Sequence, residues 1–133
     1  MKRILLVCSL FVAASTAVFA QATPSHPAPP VVSKTEFTAK VNELDALIAL
    51  DNKTAADAKY HEISQLVNNE MIVLRYKMQD AMDAHNDADK THYMELSKSQ
   101  RMLNAQVMQL KNDWGTNRAV IKQKLSTFAE SII

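Results

Sequence analysis

The stretch "VMQLKNDWGTNRAVIKQKL", residues 107–125, decides between two folds for this chain. Its large apolar side chains recur at the spacing of one helix face, and the pattern passes through Gly115, the one glycine of the chain. Glycine in a helix interior costs about 1 kcal/mol relative to alanine. Burial of Trp114 and Ile121 on one face contributes more than that. The pattern therefore favours one continuous helix over residues 89–131.

The alternative is a chain reversal at "WGTN", residues 114–117. In that interpretation Gly115 adopts a left-handed conformation that ends the third helix, and Thr116 or Asn117 begins a fourth. The two interpretations differ in what covers the apolar side chains that follow Gly115.

Two earlier helices are predicted from the same kind of pattern. "SKTE", residues 33–36, has the form of a capping box, and apolar residues follow at 4-3-4 spacing to Ile48, which predicts a helix over residues 34–51. A seven-residue repeat that includes Val67, Leu74 and Ala81 predicts a second helix over residues 55–86. The expected fold is all-α: a three-helix antiparallel bundle with a long coiled-coil hairpin of helices two and three. The alternative is a four-helix bundle broken at Gly115.

The predicted helices differ in length, which leaves apolar residues without cover at both ends of the bundle. Helix one ends level with Val73, so helices two and three project beyond it as a hairpin of on the order of 20 Å. At the opposite end a continuous third helix exposes an apolar stripe, and such a stripe is rarely left in water. A second subunit is the expected cover. The predicted interface residues are Trp114, Ile121, Leu125, Phe128 and Ile132.

The N-terminus predicts export. Residues 1–20 combine a basic start, an apolar run and a small-residue cleavage site near Ala20, as a signal peptide does. Residues 21–32 contain all four prolines and form the expected flexible linker, so the helical domain spans residues 33–133. Signal removal lowers the basic residues from 15 to 13, against 14 acidic ones. A nearly neutral chain argues against a nucleic-acid partner, and no further membrane-spanning segment is expected.

Methionine and histidine are concentrated where helices two and three meet. Met78, Met82 and His85 follow at i, i+4 and i+7, and His92 arrives across the turn. Thioether and imidazole are ligands that suit Cu(I). The same spacing is what coiled-coil packing requires, and methionine fills irregular interfaces well. Seam packing is the favoured interpretation, and a soft-metal site at these four residues is the alternative.

The function predicted from these features is non-enzymatic. The chain after the signal peptide has no thiol nucleophile, no glycine-rich phosphate loop and no Ser/His/Asp constellation, and no cofactor is expected. Four methionines, one of which is Met82 of the possible metal site, lie off the main seam and suit binding to varied partners: Met82, Met94, Met102 and Met108. We therefore expect a periplasmic or secreted protein that self-associates and binds another envelope protein, in the manner of a chaperone or adaptor. A periplasmic copper-binding protein is the alternative.

Overall fold

The computed structural model describes residues 28–133, and all regular secondary structure in that range is helical. The all-α prediction is confirmed for this part of the chain. The predicted signal peptide and linker residues 21–27 lie outside the described residues. The elements are α1 (Lys34–Ala49), α2 (Lys53–Asp83), α3 (Asp87–Leu110), a 3-10 turn (Lys111–Asp113) and α4 (Trp114–Glu130).

Short polar side chains set where the first three helices begin. The Ser33 hydroxyl accepts from the Glu36 amide at 3.3 Å, as the capping motif predicts. Asn52 caps α2 by accepting from the Ala55 amide at 3.1 Å. Asn86 caps α3 in the same way, with Asp89 as donor at 3.1 Å. Asparagine thus caps both of these helices.

The continuous helix over residues 89–131 is wrong. The helix gives way to the 3-10 turn after Leu110, and Asp113 leaves the helical conformation at φ −135° and ψ 84°. Its carboxylate accepts from the Thr116 amide at 3.1 Å and begins α4. The Trp114 indole N–H donates to the Asp57 carboxylate on α2 at 2.9 Å, which anchors the turn to the bundle.

Gly115 has a different role from the one proposed for a four-helix fold. It is the second residue of α4, and no glycine among the described residues has a positive φ. The left-handed positions are instead Asp51 and His85, at φ 53° and 52°, which follow the ends of α1 and α2. The reversal therefore depends on the cap and anchor of Asp113 and Trp114.

Each helix packs against two others: α1 and α3 both contact α2 and α4. This is the four-helix arrangement, and the α4 stripe faces its interior. Ile121, Leu125 and Phe128 are each 1 % exposed, and Phe128 stacks on Phe37 of α1 with ring centroids 5.0 Å apart.

The premise of the predicted subunit interface is therefore contradicted. Trp114 is also buried and Ile132 packs against the same core, so all five predicted interface residues are covered within one chain. The periodicity identified which residues are buried and could not identify what buries them. Self-association stays a prediction without this support.

The middle helices are longer than the outer ones. Gln100 of α3 donates its side-chain N–H to the carbonyl of Ser131 at 3.2 Å, so it lies level with the end of α4. Beyond that level, residues 71–83 and 87–99 form a projecting two-helix hairpin. Each arm has about 13 residues and projects by about 20 Å at 1.5 Å per residue.

The described end of the proline-rich segment packs against the helices. Val32 is only 8 % exposed, although the sequence pattern assigned it to a flexible linker. Ala28 and Pro29 line a depression on α2 together with Tyr76 and Gln79. Ala28 and Pro29 thus lie beside the α2 arm of the hairpin.

Replacement of Leu125 by aspartate tests the α4 assignment. A carboxylate buried among Ile121, Phe128 and the α1 side chains costs several kcal/mol, so we expect at least about 3 kcal/mol of destabilisation. Circular dichroism melts should show lower helicity and a lower Tm, while sedimentation shows an unchanged mass. Ser126→Asp, at the exposed neighbouring position, is the control. Loss of mass with helicity retained would restore the subunit-interface interpretation.

Replacement of Gly115 by alanine tests the conformation of the reversal. An added Cβ meets only the Asp113 carboxylate, at an ordinary 3.9 Å. Alanine also restricts the unfolded chain, so we expect stabilisation of about 0.5–1 kcal/mol in urea titrations. Ala119→Gly, at an exposed site of α4, should lower the stability by a similar amount. Destabilisation by Gly115→Ala would mean that the glycine is left-handed after all.

Candidate binding surface on the helical hairpin

Few buried side chains lie between the two arms of the hairpin. Leu74 and Ala81 of α2 are buried, at 0 % and 7 % exposure, and Ser97 of α3 is 6 % exposed. The Ser97 hydroxyl lies 3.9 Å from the Met71 sulfur, so Met71 occupies the seam as the heptad pattern predicts. A single layer of side chains therefore holds the two arms together over most of their length.

A depression of about 260 Å³ lies on one side of this seam, between α2 and α3. We name it the methionine groove; it is lined by Met78, Met94, Ser97, Lys98 and Arg101. Met94 is 54 % exposed, and Met82, one turn beyond Met78 on α2, is 49 % exposed. Towards the bundle, Met108 is 52 % exposed and its sulfur lies 4.0 Å from the Asn104 amide. Two thioethers therefore line the groove itself, and that of Met82 lies one helical turn beyond it.

The groove is cationic. Lys98 and Arg101 of α3 line it. Neither side chain makes an ion pair within residues 28–133, whereas several bundle cations pair with acids of neighbouring helices. The contrast is clearest at Asp45 of α1, where hydrogen bonds from Arg118 and Lys122 lower the pKa to about 2. The two cations of the groove have no such acidic partner among the described residues.

The four residues of the predicted soft-metal site are placed unequally. Met78 is half-buried in the groove and Met82 is exposed one turn away. Helix α2 ends at Asp83, so His85 lies beyond it in a left-handed conformation and leaves the helical i+7 position. His92 is exposed on α3, with its ring 5.4 Å from that of Tyr93. Across the seam, the residue that shares the groove with Met78 is Met94.

A buried polar cluster closes the base of the hairpin. Glu70 of α2 and Gln100 of α3 are both 0 % exposed. The Glu70 Oε1 atom accepts from the Gln100 amide and from the Ile133 backbone N–H, both at 3.4 Å. Gln100 also donates to the Ser131 hydroxyl, at 2.9 Å. The cluster joins α2 and α3 to the end of α4.

Two acceptors of this cluster have no partner: Glu70 Oε2 and Gln100 Oε1. Burial raises the pKa of Glu70 above its ordinary value, against the opposing effect of the bonds from Gln100 and Ile133. A proton on Oε2 can donate to Gln100 Oε1 and so satisfy both acceptors. Glu70 was not among the predicted buried residues, although its spacing from Val67 and Leu74 puts it on the inward face of α2.

No group of three or more His, Cys, Asp or Glu side chains that could hold a metal ion occurs between residues 28 and 133. Within the same range, no helix has the length and apolarity needed to cross a bilayer.

Comparison with known proteins adds no relative. A scan against protein-family models gives no match, and searches of curated proteins and of solved structures give no significant match. The function is therefore inferred from the geometry of the hairpin.

Replacement of Glu70 by glutamine tests the protonation of the cluster. A group with a raised folded pKa stabilises the fold below its unfolded pKa of about 4.3, and that contribution is lost as pH rises through the folded value. Glutamine keeps an N–H donor for Gln100 Oε1 at every pH. We therefore expect Glu70→Gln to be nearly neutral at pH 4 and to gain stability over the natural chain towards pH 8. The expected gain is about 1–3 kcal/mol, the cost of a buried unpaired acceptor.

Urea titrations from pH 4 to 8 give the required comparison, since other carboxyl groups titrate equally in both chains. Glu95→Gln, at an exposed site of α3, is the matched control and should show no such divergence. A stability difference between Glu70→Gln and the natural chain that does not change with pH would show that Glu70 stays ionised in the fold.

Proposed function

We propose that this chain is an exported, non-enzymatic helical protein that binds another protein of the cell envelope through the methionine groove, as a chaperone or adaptor does. The observation that carries the proposal is the position of the groove. It lies on a hairpin that projects beyond its own core and exposes Met82 and Met94 by about half. Flexible thioethers adapt to varied apolar surfaces, which suits protein binding.

The division of the fold supports this function. The four-helix part is closed by a continuous apolar core and by ion pairs between helices, such as that of Arg118 with Asp45 at 2.8 Å. It supplies a stable base for the hairpin. The hairpin exposes apolar side chains on its outer face, where they add nothing to the core. Such a surface is typical of an interaction site.

Self-association remains part of the proposal in a reduced form. The α4 stripe, which was its predicted interface, is buried within one chain. The hairpin is one of the exposed apolar surfaces available to a second copy, and there the same cations from two chains would meet. A heterologous partner is therefore the preferred occupant of the groove.

Soft-metal binding is the second candidate. Met78 and Met94 line one depression, so two thioethers face the same space from different helices. Together with Met82 they offer the ligand type that Cu(I) prefers. Met78→Leu with Met94→Leu keeps the groove apolar and removes both sulfurs. Retained partner binding with lost Cu(I) affinity in a chelator competition would assign the two functions separately, and Cu(I) affinity unchanged by the substitutions would exclude this site.

Site-specific photocrosslinking tests the main proposal. A photoreactive residue at Met94, introduced into the exported chain in its native cells, should give a covalent adduct of discrete mass. The same residue at Gln123, exposed on α4 of the bundle, is the control and should give none. Identical adduct patterns at both positions would show that the hairpin is not the binding surface.

A further inference from the structure

The methionine groove combines exposed thioethers with unpaired cations, and we propose that it binds an amphipathic helix of a partner protein whose apolar stripe is flanked by acidic side chains. The inference rests on the proposed function and specifies the chemistry of the partner. It follows from the shape of the groove and from the distribution of charge around it.

The shape fits a helix. Two antiparallel helices leave a shallow furrow between them, and the hairpin that carries this one projects by about 20 Å, the length of three to four turns of a third helix. Apolar residues at i, i+3, i+4 and i+7 of a partner helix would face Met78, Met94 and Met82 along this length. In the bundle, α1 and α4 pack beside α2 and α3 and complete the core. A third helix in the groove would cover the hairpin seam in the same way.

The cations beside the groove favour acidic side chains beside the partner's apolar stripe. Lys98 and Arg101 of α3 border the groove, and neither has an internal ion pair among the described residues. Acidic side chains of a partner would meet these cations at the rim. Such rim contacts govern specificity and the rate of association more than affinity.

Three acids of the hairpin, Asp80, Asp83 and Asp89, lie outside the groove lining. Asp80 and Asp83 line the depression that contains Pro29, so they lie towards the linker side of α2. Asp83 also accepts from Gln79 at 2.8 Å, and Asp89 accepts from Asn86 at the tip, at 2.7 Å. No acid lines the groove itself. A second copy of this chain would therefore present cations to cations, and an acidic partner is the better match.

Two designed peptides test the inference on the purified chain. Both are 18-residue helices with the same leucine stripe; one carries glutamate and the other lysine beside the stripe. Fluorescence anisotropy in about 0.1 M salt, where the Debye length is about 10 Å, measures their affinities. We expect the acidic peptide to bind about tenfold more tightly, as two exposed ion pairs allow. The preference should decline as the salt concentration rises.

Charge reversal locates the contact. Lys98→Glu with Arg101→Glu should remove the preference for the acidic peptide or invert it. Lys77→Glu with Lys53→Glu changes the net charge equally at exposed positions outside the groove and should leave the preference intact. Met78→Ser with Met94→Ser should weaken both peptides, because the stripe loses its apolar contact. Circular dichroism of each variant checks that the helices are retained.

The contrary outcomes are distinct. Equal affinity for the two peptides, or equal effects of the two charge reversals, overturns the acidic-partner inference. Binding of neither peptide while Met94 still crosslinks in cells overturns the inference and leaves the proposed function standing. Absence of both peptide binding and crosslinks overturns the inference and the proposed function together. Groove-dependent binding to phosphatidylglycerol vesicles without peptide binding assigns the cations to a lipid surface and also overturns the inference.

Discussion

The architecture depends on one turn, at residues 111–114, where the chain reverses between α3 and α4. Asp113 supplies the cap that begins α4, and the Trp114 indole is held by Asp57 of α2 at 2.9 Å. The turn brings α4 back along α1, so that Phe128 stacks on Phe37 and Arg118 reaches Asp45. Without the reversal, neither α1 nor the α4 stripe would have an apolar partner on that side. The closed core is a consequence of this local geometry.

The buried faces could be predicted from the sequence because helical periodicity reports burial directly. Phe37, Val41, Leu44 and Ile48 are all at most 6 % exposed, as their spacing indicates. The reversal could not be predicted in the same way, because Trp114 and Ile121 continue the helical phase of Val107 and Leu110. A chain reversal that preserves the helical phase does not change the spacing of the apolar residues, so that spacing cannot reveal it. The contact that stabilises it joins Asp57 and Trp114, which are far apart in sequence.

The candidate surface shows a similar limit. The heptad pattern placed Met71 and Met78 on the seam, and both lie there or at its edge. It also extended the helix to His85, whereas the local turn ends α2 at Asp83 and takes His85 out of register. Glu70 was not predicted to be buried because a carboxylate interrupts the apolar pattern of the inward face. Its burial is explained by the hydrogen bonds that join it to Gln100 and join Gln100 to Ser131. A local turn thus determines the position of His85, and tertiary contacts explain the burial of Glu70.

The unequal lengths of the helices have a consequence for how the molecule opens. The first half of α2 is covered by α1 and α3, while its second half shares only the seam around Leu74 and Ala81 with α3 and an edge with residues 28–32. The free energy for local opening should therefore fall along a single uninterrupted helix, from the bundle towards the tip. Backbone amides near Asp80 can exchange with solvent through a sub-global fluctuation that leaves Ile63 protected. The hairpin and the bundle are thus separate cooperative units within one continuous α2.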